Sequence, residues 1–210
     1  DTVKKYPNVP YFILGHSMGS FLARQFIEKF GEGLNGAIIM GTAYQPNATL
    51  DLAIGLTGVF QQARGGHYRS EVIDNMALGS YNKSFEPART KDDWLTRDEA
   101  IVDAYVANPL NQFRFSVNGY YNMFRGMRYC QRQENLNKIP KDLPVFVVSG
   151  GNDPVGEFGK GPRMVAEAYK KTGIKDVTLK IYTNDRHEIL NELDKETVYQ
   201  DLLTWIEAHL

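Results

Sequence analysis

The chain has 210 residues, 42% of them hydrophobic and 23% charged, which are ordinary proportions for a globular enzyme. Its formal net charge of −1 gives no indication of a nucleic-acid partner, and it contains no apolar run long enough to predict an integral membrane segment. The single cysteine, Cys130, excludes an internal disulfide and fits a reducing compartment. We therefore expect a cytoplasmic protein that attaches to membranes at most peripherally.

The first predicted elements surround a serine flanked by glycines. Residues 1–8 resemble the end of a helix, residues 9–14 an apolar strand, and the pentapeptide Gly15–Gly19 (GHSMG) follows directly. Residues 21–27 then show the apolar spacing of a helix. Strand, turn and helix around a Gly-x-Ser-x-Gly motif are the pattern of a nucleophile elbow, with Ser17 at its apex.

The chemistry of such a turn explains its residue types. A serine at the apex has a strained backbone, and side chains at positions 15 and 19 are expected to collide with the neighbouring strand or helix, so that Gly15 and Gly19 are required. The turn directs the backbone N–H of Met18 towards the point where a carbonyl oxygen becomes negative, which makes it the predicted oxyanion donor. We interpret Ser17 as a nucleophile; a coincidental glycine turn is the alternative.

The remaining elements alternate regularly except in the middle of the chain. Further strands are predicted at residues 37–41, 143–149 and 177–182, and helices at residues 163–172 and 195–208. The stretch from about residue 42 to 142 is instead helical and rich in aromatic residues, with helices predicted at 50–60, 99–106 and 113–127. Continuous apolar strands that alternate with helices indicate an α/β fold with a mainly parallel sheet covered on both faces, interrupted by a helical insertion.

Two polar residues follow the last two predicted strands. Asp153 comes after the strand at 143–149, and His187 after the strand at 177–182. Because reactive groups collect beyond the carboxyl ends of strands in open α/β sheets, we predict His187 as the base for Ser17 and Asp153 as the acid that fixes its tautomer. The chain order Ser, Asp, His is that of α/β-hydrolases.

The sequence contains alternatives to both assignments. Asp185 is close to His187 but on the same loop, so it is less able to reach the far ring nitrogen than an acid from another strand end. Of the other histidines, His16 lies inside the elbow, where its ring is expected to pack beside the serine. His67 lies in the insertion and His209 at the C-terminus.

Other motifs do not predict a metal or a cofactor. His187-Glu188 lacks the second histidine of a zinc-protease helix, and the glycines at 151 and 156 are not followed by the Lys-Ser/Thr of a phosphate loop. We interpret Glu188 and Glu192 as the charged start of a helix rather than as paired catalytic carboxylates. Few cations accompany the aromatic residues at 113–129, which favours core or pocket packing over stacking on nucleic acid.

Three segments resemble α/β-hydrolases of the monoacylglycerol lipase and lysophospholipase type. They are residues 12–20 (FILGHSMGS), 144–155 (PVFVVSGGNDPV) and 182–192 (YTNDRHEILNE). The resemblance implies an α/β-hydrolase fold with Ser17 as nucleophile, Asp153 as acid, His187 as base and Met18 as one oxyanion donor.

The resemblance also implies how the chain is divided. Residues 1–43 and 138–210 are expected to form the hydrolase core, and residues 44–137 a helical cap over the pocket. Substrate contacts are expected from His16 and from three aromatic residues of the cap, Tyr120, Tyr121 and Phe124.

One element of the family is not found before the elbow in this sequence. The family carries an oxyanion loop with a His-Gly-type run there, whereas Gly65-Gly66-His67 comes after the elbow. The strands found here correspond to the fifth to eighth of the family, the C-terminal half of its sheet. We therefore expect the chain to lack its N-terminal portion and to leave residues 9–14 as an open sheet edge, a predicted aggregation site.

The leading hypothesis is a serine carboxylic-ester hydrolase that forms an acyl-enzyme and releases a fatty acid from a small ester or a lipid. A peptidase-like amidase and an acyltransferase use the same triad and fold, so both stay open. A third hypothesis is an inactive fragment, or one half of a two-part assembly, that binds rather than catalyses. The physiological substrate, the acyl length and the oligomeric state also stay open.

Overall fold

The computed structural model describes residues 2–210, and a sheet of four strands lies at its centre. The strands are β1 (Phe12–His16), β2 (Gly36–Met40), β3 (Val145–Gly150) and β4 (Val177–Tyr182). All pairs are parallel, neighbours follow chain order, and the register aligns His16 with Met40 and Met40 with Val148. The carboxyl ends of the strands therefore lie at one edge, which confirms the predicted α/β class.

Helices connect the strands and fill the long segment between β2 and β3. They are α1 (Thr2–Lys5), α2 (Met18–Phe30), α3 (Asn47–Arg64), α4 (Glu71–Leu78), α5 (Glu99–Ala107), α6 (Val117–Tyr129), α7 (Gln133–Leu136), α8 (Lys160–Thr172) and α9 (Lys195–Glu207). Short 3-10 helices lie at Tyr81–Phe85, Pro109–Asn111 and Ile189–Asn191. Among the helices that the structure describes, none has both the length and the hydropathy needed to cross a bilayer.

Both faces of the sheet are covered, because alternate residues of β2 and β3 point to opposite sides. Ile39 belongs to a buried cluster with side chains of α2 and α8, whereas its neighbour Ile38 belongs to a cluster with side chains of α9. Every residue of β2 and β3 is buried, which explains their unbroken apolar sequences.

The insertion between β2 and β3 has a core of its own. Leu50, Ile73 and Tyr120 are buried there together with Phe21, at the start of α2, and Val155, which follows β3. The last two residues lie just beyond strand ends, so the core of the insertion packs against the carboxyl edge of the sheet. The interpretation of residues 44–137 as a cap stays a prediction.

Some element boundaries differ from the sequence predictions. The strand predicted at 9–14 begins at Phe12, because the Tyr11 amide donates to the side chain of Asn35 at 2.9 Å instead of to a strand. The helix predicted from residue 113 begins at Val117, where the Ser116 hydroxyl caps it by accepting the Gly119 amide. Helices α4 and α7 were not among the sequence predictions.

Candidate active site

The turn at Ser17 has the strained geometry of an elbow. Ser17 has φ 55° and ψ −124°, a conformation that is rare for a residue other than glycine. Its amide donates to the Met40 carbonyl at 3.0 Å, and its carbonyl accepts the Ser20 amide at 2.8 Å and the Ser20 hydroxyl at 2.6 Å. Bonds to the end of β2 and to the first turn of α2 therefore fix the backbone on both sides of the hydroxyl.

The two glycines of the elbow differ in their surroundings. A Cβ at Gly15 would lie 2.3 Å from the Gly19 carbonyl oxygen and 2.7 Å from the Ala23 Cβ, so close packing of β1 on α2 requires glycine there. A Cβ at Gly19 would meet no atom of the described residues within 4 Å. The predicted collision therefore accounts for Gly15, and the described residues give no steric reason for Gly19.

Met18 is the first residue of α2, and its amide is one of those at a helix start that have no acceptor within the helix. The helix dipole adds a partial positive charge at the same place. The arrangement suits an oxyanion donor, and that role stays a prediction.

Asp153 and His187 are brought together by the ends of β3 and β4. The His187 Nδ1 lies 3.0 Å from the Asp153 Oδ1, and both side chains are buried. The Asp153 carboxylate also accepts the Val155 amide at 2.9 Å and the Ser149 hydroxyl at 3.3 Å. Because a carboxylate accepts at Nδ1, the Nδ1 carries the proton and the Nε2 of neutral His187 keeps a lone pair.

The free nitrogen of His187 is unusual for a buried group. Its Nε2 is buried and has no hydrogen-bond partner among the described residues. A buried polar atom without a partner costs free energy, so such an atom calls for an explanation by function or by a bound molecule. An imidazole that a carboxylate holds at Nδ1, and whose Nε2 has no partner, is able to accept a proton at Nε2.

His16 links the elbow to His187. The two imidazole rings are 4.6 Å apart between centroids, and the His16 Nε2 lies 3.1 Å from the His187 carbonyl oxygen, to which it donates. Gly41, with φ 56°, leaves room for both rings, since a Cβ there would lie 3.1 Å from each. Ser17 directly follows His16, so this ring contact brings the loops of the nucleophile and base candidates together, although β1 and β4 are separated by β2 and β3 in the sheet.

The pKa of His16 is lowered, first by burial and then by the nearby His187. A neutral ring can donate one hydrogen bond, and the His187 carbonyl receives it. The substrate contact expected of His16 stays a prediction, whereas the bond to the backbone of His187 is part of the structure.

Asp185, the alternative acid, faces another partner. It is fully buried and accepts from Arg97 at 2.7 Å. Burial, followed by the nearby carboxylates of Asp194 and Glu192, raises the pKa of Asp185 to about 7, although the charge of Arg97 acts in the opposite direction. The carboxylate that reaches His187 is therefore Asp153, on the neighbouring strand end.

The interpretation of Glu192 as the charged start of a helix is wrong. Glu192 is fully buried, accepts the Arg97 Nε at 2.8 Å and accepts the Arg186 amide at 2.8 Å. One carboxylate oxygen each of Asp185, Glu192 and Asp194 lies close enough to the other two to share a metal ion. The guanidinium of Arg97 bonds all three and is the cation of this cluster.

Two of the three predicted pocket aromatics belong to the core of the insertion. Tyr120 and Phe124 are buried there, and the Tyr120 hydroxyl donates to Asp74 at 2.5 Å. Tyr121 is half-buried, with Arg125 over its ring. Their contact with substrate stays a prediction.

Sequence reasoning missed the residues of the insertion that touch His187. The Trp94 ring lies 5.0 Å from the His187 ring, and the Trp94 carbonyl accepts the His187 amide at 3.4 Å. No local motif marks Trp94 or Arg97, because their partners lie about ninety residues further along the chain.

A model of the family described as serine aminopeptidase, S33, matches residues 1–194. The monoacylglycerol lipase of Mycolicibacterium smegmatis is 26% identical over 206 residues, which are 98% of this chain and 65% of that lipase. The monoglyceride lipase of Mus musculus is 24% identical over all of this chain and 63% of its own length. The chain thus spans slightly less than two thirds of these relatives.

Solved structures agree with the sequence comparisons. A thermostable carboxyl esterase from Bacillus coagulans, solved with glycerol, superposes with a TM-score of 0.90 at 28% identity, over 99% of this chain and 67% of that one. A soluble variant of the monoglyceride lipase of Saccharomyces cerevisiae, 18% identical over 99% of this chain and 65% of its own, shares the fold with a TM-score of 0.73. The chain therefore belongs to the serine aminopeptidase S33 family and has an α/β-hydrolase fold.

Proposed function

We propose that this chain carries the catalytic side chains of a serine hydrolase that acts on carboxylic esters of the monoacylglycerol kind. The observation that carries the proposal is the buried Asp153–His187 pair with its unpartnered Nε2. The His187 ring lies 4.6 Å from the ring of His16, the residue that precedes the strained Ser17. The relatives named as monoacylglycerol lipases and as a carboxyl esterase support an ester as the substrate.

In the first half of the reaction, the Nε2 of His187 takes the proton of the Ser17 hydroxyl as its oxygen attacks the ester carbonyl. The carboxylate of Asp153 stabilises the imidazolium that forms. The Met18 amide donates to the negative oxygen of the tetrahedral intermediate. The imidazolium then protonates the departing alcohol, which leaves an acyl group on Ser17.

In the second half, His187 takes a proton from a water molecule, which attacks the acyl carbonyl. The second tetrahedral intermediate collapses, Ser17 regains its proton, and the fatty acid is released. Burial of the acid–base pair favours this chemistry, because electrostatic interactions are stronger where water is excluded.

The central test compares the complete protein with its Ser17→Ala variant on a monoacylglycerol. We expect the variant to lose activity by at least about 10³-fold, since removing one member of a triad abolishes its combined action. Ser84→Ala, at an exposed serine of the insertion, is the matched control and should retain wild-type turnover. Activity in Ser17→Ala equal to that of the control would contradict the proposal.

A peptidase-like amidase on the same triad is the second candidate, because the matching family is described as a serine aminopeptidase. The two candidates separate in kcat/KM for a monoacylglycerol, a short-chain ester and an aminoacyl amide. We expect kcat/KM to be higher for the two esters than for the amide. A preference for the aminoacyl amide would favour the second candidate and leave the triad unchanged.

A further inference from the structure

A segment of the insertion without helix or strand lies against the loop that carries His187. We call Asp93–Arg97 the clamp segment, and residues 183–194, which follow β4, the histidine loop. Leu95 and Thr96 of the clamp segment are buried, although the segment has no regular structure. Buried irregular backbone must find hydrogen-bond partners, and here the histidine loop supplies them.

The contacts with the loop backbone begin at His187 and continue after it. The His187 amide donates to the Trp94 carbonyl at 3.4 Å, and the Glu188 amide donates to the Leu95 carbonyl at 2.7 Å. Further along the loop, the Thr96 hydroxyl donates to the Asn191 carbonyl at 2.9 Å. The clamp segment therefore follows the histidine loop over several residues.

The side chain of Arg97 adds the charged part of this contact. Its Nε donates to Glu192 at 2.8 Å, and one of its terminal nitrogens donates to Asp185 at 2.7 Å and also to Asp194. Asp185 precedes His187 in the chain and Glu192 follows it. One guanidinium thus binds the histidine loop on both sides of the imidazole.

Glu192 and Asp185 depend on this guanidinium. Both are fully buried, and the guanidinium of the neighbouring Arg186 donates to the carbonyls of Asp93 and Thr96 instead. Without Arg97 the loop would retain buried carboxylates with no cation bonded to their side chains, a costly arrangement that a shift of the loop towards water relieves. Such a shift would move the attached imidazole.

We propose that Arg97 is a positioning residue for the catalytic base: it holds the histidine loop so that His187 keeps its bond to Asp153 and presents Nε2 to Ser17. This inference rests on the proposed function, in which His187 is the base. It gives the insertion a part in the chemistry besides any contact with substrate. A displacement of about 1 Å in a catalytic group is enough to reduce the rate about 10²-fold.

Kinetics of Arg97→Ala in the complete protein give the first test. We expect kcat for the ester to fall about 10- to 100-fold while KM changes less than about threefold, because substrate binding is retained and base geometry is lost. Arg97→Lys, which keeps the charge but not the fork of donors, should recover part of the loss. Arg89→Ala is the matched control, since Arg89 lies in the insertion and pairs with Asp103 and Glu99 outside the histidine loop.

A second readout does not depend on turnover. The proton shared by His187 Nδ1 and Asp153 should give a far-downfield proton resonance, assigned by its loss in His187→Gln. We expect this resonance to broaden or disappear in Arg97→Ala and to persist in Arg89→Ala. Both oxygens of Glu192 accept N–H groups, so Glu192→Gln would turn an amide NH2 group against a donor of Arg97 or Arg186. It should therefore show the same effects and replaces Arg97→Ala if that variant does not fold.

The outcomes separate this inference from the proposed function. Folded Arg97→Ala and Glu192→Gln with wild-type kcat and an unchanged imidazole resonance would overturn the positioning role and leave the hydrolase proposal intact. The positioning role would also be overturned if kcat fell only in proportion to the fraction of variant molecules that fold, and if the folded molecules kept the resonance unchanged. Full activity in Ser17→Ala would instead refute the hydrolase proposal, and the resonance would still decide whether Arg97 positions His187.

Discussion

The strand-end loops and the clamp segment place groups around His187 in different ways. Ser17, Asp153 and His187 follow β1, β3 and β4, so the register of one parallel sheet sets their separation. The clamp segment belongs to no strand or helix and is held by bonds to residues 88 to 97 positions away. The sheet therefore places the candidate catalytic groups, and we propose that the insertion fixes the orientation of one of them.

The difference also appears in how the charged groups are satisfied. Asp153 accepts from a ring nitrogen and an amide on the strand-end loops and from the Ser149 hydroxyl at the end of β3. Asp185, two residues before His187, accepts instead from a guanidinium of the insertion and keeps one buried oxygen without a partner among the described residues. Two buried carboxylates near one histidine thus have different hydrogen-bond partners.

The largest expected effect compares these two carboxylates. Asp153→Asn should lower kcat about 10³- to 10⁴-fold, because an amide N–H facing Nδ1 favours the wrong tautomer of His187. Asp185→Asn should cost less than about tenfold, since the amide oxygen still accepts from Arg97. Steady-state kinetics of both variants on one ester measure the two losses in kcat, whose ratio is the prediction. A larger loss in Asp185→Asn would reverse the two assignments.

A smaller effect, on stability, tests how tightly the sheet holds the elbow. In Gly15→Ala the new Cβ would lie 2.3 Å from a backbone oxygen, so we expect the free energy of unfolding to fall by at least about 2 kcal/mol. In Gly19→Ala the new methyl meets nothing within 4 Å among the described residues, and the change should stay within about 1 kcal/mol. Urea unfolding compares the two, and equal losses would show that Gly19 is also closely packed.

The smallest expected effect is the pH dependence of stability that comes from Asp185, where the histidine loop contacts the clamp segment. Because the pKa of Asp185 is raised to about 7 in the fold, the folded state keeps a proton that the unfolded state releases between about pH 4 and pH 7. Wild-type stability should therefore fall over this range relative to Asp185→Asn, which stays neutral. We expect urea unfolding to show that the free energy of unfolding of Asp185→Asn, relative to the wild type, is higher at pH 8 than at pH 5 by on the order of 1 kcal/mol. An equal difference at both pH values would contradict the raised pKa.

The sequence predicted the parts of the site that follow from local patterns. Each apolar run predicts a strand, each strand end predicts a place at the sheet edge, and Ser17, Asp153 and His187 could be selected from those places alone. The parallel sheet is confirmed, with boundaries shifted by residues such as Asn35, whose side chain takes a backbone donor from the predicted strand.

The parts that sequence reasoning missed depend on contacts distant in the chain. Glu192 follows His187 in a charged stretch that resembles the exposed start of a helix, and only its pairing with Arg97 explains why it is buried. Trp94 and Arg97 lie in a segment without periodicity, so no pattern indicates which side chains face the base. Their partners are apparent only in the folded chain.

The most direct test of the account is covalent labelling of the complete protein by a fluorophosphonate, read by intact mass and peptide mapping. An activated serine should take up one equivalent of the probe on Ser17, and Ser17→Ala should take up none under the same conditions. His187→Gln should label far more slowly, because the base that activates the hydroxyl is gone. Labelling of another residue, or equal labelling of Ser17→Ala, would contradict the claim that this elbow carries the nucleophile.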